Sequence, residues 1–479
     1  MSTRRSILNS FLGKYLNMLI QIISSIIIAR LLLPEEIGIF SVAAAVLGFA
    51  QMFRDFGINS YIVQEKNLTA ARLRAAFTLN LIISWSLGIL VYFGSGYAAR
   101  FYETPGIMEI LKITSLVFFL IPFGAISVAM LQRNMQFGKL NIINLLGAIA
   151  GAMVSIGGAY LGFSYISLAW GTLTNSAITI LVTQFYRQPV TLYPSFREMR
   201  NVLHYGSLAS FTQLVNYLGS SAPDIILGKV LNMSAVGIFG RAAGLLSMIQ
   251  QFILSIIKPV LLPHLAKLQD CKKTLATQFL TATHLMLGFA WPALGFLILE
   301  AGLVIEVLYG PNWLPAAPLA QIVGVGFFVV LLTNLSEELF KSSGQIKTLA
   351  KIIFFLAPIR FLAVLLAAPY GLTTVAITLA CIPVLRVLIT IRFLRRLYKI
   401  RYRMYLPIIW SNCLLTGFPL CLVYLANQHY PVETLINRLL VDSTLFSVLW
   451  LITLFLLKHP FSNEITRIFK RRKNQTTHV

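Results

Sequence analysis

The chain has 479 residues, 57% of them hydrophobic and 11% charged, with a net charge of +23 and a mean hydropathy of +0.78. That composition excludes a soluble multidomain protein, in which about a quarter of residues are charged. Its apolar runs, roughly 18 to 22 residues long, suit helices crossing about 30 Å of hydrocarbon and not the alternating segments of roughly ten found in membrane barrels.

A short basic start, Arg4 and Arg5, leads into a first apolar span at 15–33. It is too long for a signal-peptide core and lacks a small-x-small cleavage site, so it is expected to be retained. Further spans are predicted at 37–53, 77–99, 113–132, 140–161, 163–185, 207–228, 235–257, 280–300, 316–334, 350–369, 373–391, 405–426 and 441–457. The fold class is therefore all-α and polytopic, with about 14 transmembrane helices. The pair at 207–228 and 235–257 is the least apolar.

Lys and Arg collect in alternate connections, as the positive-inside rule requires of correctly placed spans. One side receives Arg54, Lys66, Arg72 and Arg74, then Arg133 and Lys139, Arg187, Arg197 and Arg200, and Lys258, Lys267, Lys272 and Lys273. The same side takes Lys341, Lys347 and Lys351, the basic stretch 392–403 and the tail 467–473, whereas the other holds little beyond Arg100, Lys112 and Arg438. Both termini are expected to be cytoplasmic. This distribution explains the net charge without nucleic acid as a partner. No connection is long enough for a sizeable soluble domain, so function is expected to lie within the bundle.

Residues 28–49 match residues 227–248 at an offset of 199. The match pairs Arg30 with Lys229, Leu32 with Leu231, Gly38-Ile39-Phe40 with Gly237-Ile238-Phe239, and Ala43-Ala44 with Ala242-Ala243. Six spans per repeat give the copies the same orientation, related by an axis along the membrane normal, with a cavity expected between them. The expected division is a six-helix lobe at 1–200, a second at 201–400, and two additional helices with a basic tail at 401–479.

Charges inside apolar spans carry the functional information, because a cation at mid-membrane costs roughly 2.5 to 3.5 kcal/mol and is rarely left facing lipid. Arg241 shares a helical face with Gly237, Gly244 and Met248; Arg360 follows Pro358; Arg386 follows Pro383. Arg241 and Arg360, with Arg30, Lys229 and Arg386, are candidates to bind an anionic head group, since the guanidinium fork matches phosphate. The structural alternative has Arg386 snorkelling, Arg30 and Lys229 interfacial, and Arg241 paired with Asp224. Asp224, after Pro223, is a candidate for coupling H⁺ or Na⁺ or for a structural partner of a cation. Glu300, Glu306, Glu337 and Glu338 are expected to be solvated at interfaces.

Cys271, Cys381, Cys413 and Cys421 form no CxxC pair, and the six histidines are scattered, so packing roles are expected and neither metal nor cofactor is. The sequence contains no P-loop, HExxH or GxSxG motif. An enzyme is not indicated.

Several segments occur in an order and spacing that resemble the Wzx-type flippases of the polysaccharide transport family, within the multidrug/oligosaccharidyl-lipid/polysaccharide exporter superfamily. In the first half these are Ala29-Arg30-Leu31-Leu32-Leu33-Pro34-Glu35-Glu36-Ile37-Gly38-Ile39-Phe40, Phe53-Arg54-Asp55-Phe56-Gly57-Ile58, and Leu131-Gln132-Arg133-Asn134. In the second they are Asp224-Ile225-Ile226-Leu227-Gly228, Gly237-Ile238-Phe239-Gly240-Arg241-Ala242, and Tyr309-Gly310-Pro311-Asn312-Trp313-Leu314-Pro315. Gly240 departs from the Ser usual at that place. The resemblance implies two six-helix bundles in a V shape around a cationic cavity. It also implies translocation of undecaprenyl-pyrophosphate-linked oligosaccharide across the bacterial inner membrane for surface polysaccharide, such as O-antigen or exopolysaccharide. Arg241 and Asp224 match recurrent family positions, as do Arg54 and Asp55, a gate or clasp. Membrane lipids and other polysaccharide assembly proteins would be partners. Alternatives are a cation-coupled drug exporter of the same superfamily, which would favour intramembrane acids, and a lipid-linked glycan polymerase, which would carry a long outer loop.

Overall fold

The computed structural model describes residues 3–54, 57–186, 193–196, 199–268, 272–429 and 434–462, and all their regular structure is helical. The first helices are α1 (Thr3–Leu31), α2 (Pro34–Arg54), α3 (Ile58–Gln64), α4 (Ala70–Tyr102), α5 (Pro105–Leu120) and α6 (Pro122–Arg133). They are followed by α7 (Phe137–Tyr160), α8 (Ile166–Phe185), α9 (Met199–Val230), α10 (Met233–Ala266), α11 (Lys272–Leu299) and α12 (Ala301–Tyr309). The last are α13 (Ala316–Leu331), α14 (Ser336–Ser342), α15 (Ile346–Ala367), α16 (Leu372–Tyr398), α17 (Leu406–His429) and α18 (Leu435–Leu456).

Twelve of the described helices are long and apolar enough to cross a membrane, and α5 with α6, bent by 57°, forms a further candidate span. Helix α9 has 32 residues and carries Tyr217, Ser220, Ser221 and Asp224 along its second half. Leu90, Phe93 and Leu366 are two-thirds or more exposed on their spans, a surface suited to lipid and unsuited to water. Cys381, Cys413 and Cys421 are exposed rather than packed inside, and Cys271 lies outside the described residues. On a membrane-facing helix the weakly polar thiol suits the surface as well as the core.

Local chemistry sets the helix ends. Pro34, Pro105 and Pro122 stand in first turns, where a missing N–H costs nothing. The Thr69 hydroxyl accepts from the Arg72 N–H at 3.3 Å, and Asn232 Oδ1 accepts from the Ala235 N–H at 2.8 Å, capping α4 and α10. Arg133 donates to the carbonyls of Ile62 at 2.7 Å and Glu65 at 2.6 Å, closing the end of α3.

The chain packs as two compact units, Met1–Gly240 and Arg241–Val479. The break between α1 and α2 and the break between α9 and α10 fall at the same offset of 199 residues. Within the first unit the starts of α2 and α10 cross on bare backbone. A Cβ on Gly38 would lie 2.6 Å from the Met233 carbonyl carbon, and one on Gly237 would lie 2.8 Å from the Pro34 carbonyl carbon. Since 34 corresponds to 233 and 38 to 237, the contact is reciprocal, as an approximate twofold relation between the two helix starts requires. Helix α9 lies along α2, where the Tyr217 hydroxyl donates to the Ala45 carbonyl at 2.9 Å. In the second unit α18 docks on α11 through the Trp450 indole N–H, which donates to the Gly288 carbonyl at 3.2 Å.

Candidate functional site

In the second unit Arg241 of α10 meets the Tyr-Gly-Pro-Asn-Trp segment at the end of α12. The Arg241 guanidinium carbon lies 5.1 Å from the Tyr309 ring centroid and 5.2 Å from that of Trp313. Tyr309 is 3% exposed and Trp313 fully buried, because the Gly310 turn, at φ 97°, folds the short 3-10 segment Pro311–Trp313 back onto α12. The guanidinium thus faces two aromatic rings, an arrangement that attracts a cation by the ring quadrupoles.

Arg386, partly buried on α16, lies within electrostatic reach of Glu337 on α14. Lys258 of α10 approaches Glu337 at 3.3 Å and Glu338 at 3.4 Å, and Lys341 approaches Glu337 at 2.6 Å. Glu337 and Glu338 are therefore half-buried to buried anchors for basic side chains, not solvated interfacial acids. Arg360 is partly buried in the middle of α15, two residues after Pro358.

In the first unit Lys229 ends α9 with its ammonium 2.8 Å from Glu103 and 5.3 Å from the Phe101 ring centroid. Glu103 ends α4 in the left-handed region, at φ 55°, and Lys229 holds its carboxyl below the usual range, first through that hydrogen bond. Arg30, the repeat counterpart of Lys229, is exposed in the last turn of α1. Asp224 is partly buried within electrostatic reach of Tyr102 and Tyr217. Arg54 is partly buried at the end of α2, and Asp55 lies outside the described residues. These contacts thus place Arg241 against the segment after α12, Arg386 near α14, and Lys229 against the end of α4.

Two polar features lie apart from these candidates. One is a groove in the first unit with a volume of about 430 Å³, lined by Lys14, Asn17 and Gln21 of α1, Asn141 and Asn144 of α7, and Asn175 of α8. The signal was present as amides spaced three or four residues apart in apolar spans. The other, in the second unit, joins Glu300 to α17 and α18. Asn427 donates to Glu300 at 3.2 Å and to Asp442 at 3.1 Å, while Arg438 lies 3.8 Å from Glu300 and 3.6 Å from Asp442. Glu300 is 6% exposed, not interfacially solvated; burial, with the neighbouring Asp442 charge, raises its pKa.

The family model described as polysaccharide biosynthesis protein matches residues 27–318, more than half of the chain. The chain belongs to this family. It is 23% identical to the lipopolysaccharide biosynthesis protein WzxC of Escherichia coli (strain K12) over 302 residues, covering 62% of this chain and 61% of that protein. It is 24% identical to an uncharacterized membrane protein in the cps region of Klebsiella pneumoniae over 345 residues, covering 70% and 71% of the two chains. The fold is similar to that of the lipid II flippase MurJ in an inward closed conformation, with a TM-score of 0.77 at 15% identity, covering 94% of this chain and 98% of the other. Within the polysaccharide biosynthesis family match lie Arg241 and both aromatic rings against it.

Proposed function

We propose that this chain is a flippase that moves an undecaprenyl-pyrophosphate-linked oligosaccharide from the cytoplasmic to the periplasmic leaflet of the inner membrane for surface polysaccharide assembly. Its family membership over residues 27–318 carries the reading, and the likeness to a lipopolysaccharide biosynthesis protein supports it. Physical chemistry gives the reason such a protein is needed: a pyrophosphate-bearing sugar cannot enter hydrocarbon without losing its hydration, and a helical bundle with a polar interior replaces it. In this reading the six-helix repeats at 1–200 and 201–400 rock to alternate access, both termini lie in the cytoplasm, and 401–479 is an addition.

Arg360, with Arg30 and Arg386, remains a candidate to attract the pyrophosphate. The ring contacts of Arg241 and the Glu103 contact of Lys229 favour positioning roles for those two side chains. Asp224, beside two tyrosines, is the candidate for any coupled H⁺ or Na⁺.

The test is deletion of the chromosomal copy, with surface glycan and lipid-linked glycan measured side by side. Loss of surface glycan, accumulation of its lipid-linked precursor on the cytoplasmic side, and rescue by the wild type are expected. Unchanged surface glycan in the deletion strain would refute the assignment.

A further inference from the structure

The groove between α1, α7 and α8 has a composition that no lipid-facing surface can carry. At about 100° per residue, Lys14, Asn17 and Gln21 fall within about 60° of one another on α1. Leu16, Leu19, Ile23 and Ile27, all exposed, lie on the opposite side of the same helix. Helix α7 repeats the division: Asn141 and Asn144 share a stripe, while the exposed Ile142, Leu146, Ile149 and Met153 lie about a third of a turn away. Asn175 reaches the same groove from α8.

Gln21, Asn144 and Asn175 are exposed, as is Lys14, and an exposed amide or ammonium on a membrane-crossing helix needs water or a polar ligand. Among the described residues neither Gln21 nor Asn144 makes a hydrogen bond within the protein. Asn175 is pushed into the groove because α7 and α8 meet closely there. A Cβ on Gly151 would lie 2.8 Å from both the Asn175 Cβ and the Gly171 carbonyl oxygen.

The chemistry selects the ligand. Each carboxamide offers two donor hydrogens and an acceptor oxygen, the complement of vicinal hydroxyl groups, each of which both donates and accepts. Among the described residues no carboxylate lines the groove, so an organic cation finds no counter-charge there, and Ala148 is the single apolar residue, which leaves a lipid tail little contact surface. One ammonium, Lys14, stands at the end nearest the chain's start, suited to a carboxylate or a phosphate. Gln21 lies seven residues further along α1, about 10 Å deeper. The volume falls at the lower end of the range of roughly 300 to 1,000 Å³ typical of small-molecule sites, room for a short saccharide segment and not a whole polymer.

We infer that this amide-lined groove is a saccharide-binding subsite: it holds hydroxyl-rich sugar residues of the transported glycan, with Lys14 taking an anionic group. The inference rests on the flippase reading and deepens it.

The test uses the full chain in cells, with its four cysteines replaced and Ala148→Cys introduced as a reporter for a membrane-impermeant maleimide applied to inside-out vesicles. Three backgrounds are compared: one making the complete lipid-linked glycan, one stopped after its first sugar, and one making none. Labelling is expected in glycan-free vesicles. With the complete glycan it slows by about threefold when the ligand is present at twice its dissociation constant. The one-sugar background is expected to give little protection. Equal rates in all three backgrounds, or no labelling in any, would overturn the subsite; full protection by the one-sugar lipid would make it a head-group site and overturn the saccharide assignment. In a parallel export assay Gln21→Leu with Asn144→Leu is expected to lower export about tenfold at normal abundance, as for the loss of two hydrogen bonds. The pair Gln21→Asn and Asn144→Gln is expected to retain most of it. If the wild type itself restores no export, the flippase reading fails; if the wild type restores export and the leucine pair does too, only the groove assignment fails.

Discussion

The contact of Arg241 with Tyr309 and Trp313 lends itself to a quantitative test. Both ring centroids lie near 5 Å from the guanidinium carbon, and Trp313 is fully buried, so each cation–π interaction falls toward the desolvated limit of about 2 kcal/mol. Single substitutions mix this attraction with packing and with relief of a buried charge, and Arg241→Met could even be neutral by itself. A double-mutant cycle separates the terms: Arg241→Met, Trp313→Leu and the pair, each purified and melted in the same lipid nanodiscs. The expected coupling is about 1 to 2 kcal/mol, or about 2 to 8 °C at the sensitivity of a unit this size. Tyr309→Phe keeps the ring and removes only the hydroxyl, so its shift should be smaller than that of Tyr309→Leu. If the double mutant's shift in midpoint equals the sum of the single shifts within about 1 °C, the rings are neighbours of Arg241 without holding it.

At the crossing of α2 and α10, Gly38→Ala or Gly237→Ala should sharply reduce folded protein in membranes, since either Cβ meets a carbonyl group. Gly240→Ala, with open space at its Cβ, should be neutral or raise stability by up to about 1 kcal/mol through helix propensity; equal losses at all three would refute the crossing. His459 is 1% exposed beside His284, and burial, then that neighbouring ring, pushes its pKa down to about 4. The unfolded chain therefore binds this proton first, so the stability present above about pH 6.5 should decline as pH falls toward 4; His459→Gln should flatten that part of a melting curve measured against pH. Asn427→Ala removes donors from two buried carboxylates and should cost about 1 to 3 kcal/mol, read as a lower melting midpoint, whereas an unchanged midpoint would show that Arg438 alone suffices.

The spans were legible because hydrocarbon thickness imposes both length and apolarity on each of them. The repeat was also visible, and the structure adds the reason for its shared Gly-Ile-Phe: Gly38 and Gly237 are where two backbones touch. Site chemistry was less accessible. Arg241 was conspicuous as a charge in an apolar run, but its ring partners stand some seventy positions away, and nothing in the spacing links them. The amide groove is less legible in the sequence because insertion cost marks charges, whereas a carboxamide passes as an ordinary interruption of a span. Glu300 read as interfacial from its place at a helix end; its burial depends on α17 and α18, which fold over it from more than a hundred residues later.

The opposed faces of α1 have a mechanical consequence. One face of α1 packs along α7, where a Cβ on Gly13 would lie 2.5 Å from the Asn141 Cβ, while much of the crossing segment stays exposed. Partition between oil and water adds to that contact, because turning α1 by half a revolution would place Lys14, Asn17 and Gln21 in acyl chains and the exposed Leu16 and Leu19 against the polar groove. The azimuth of α1 is therefore set twice over, by the seam with α7 and by the unequal solubility of its two faces, and both keep the same amides turned toward the groove.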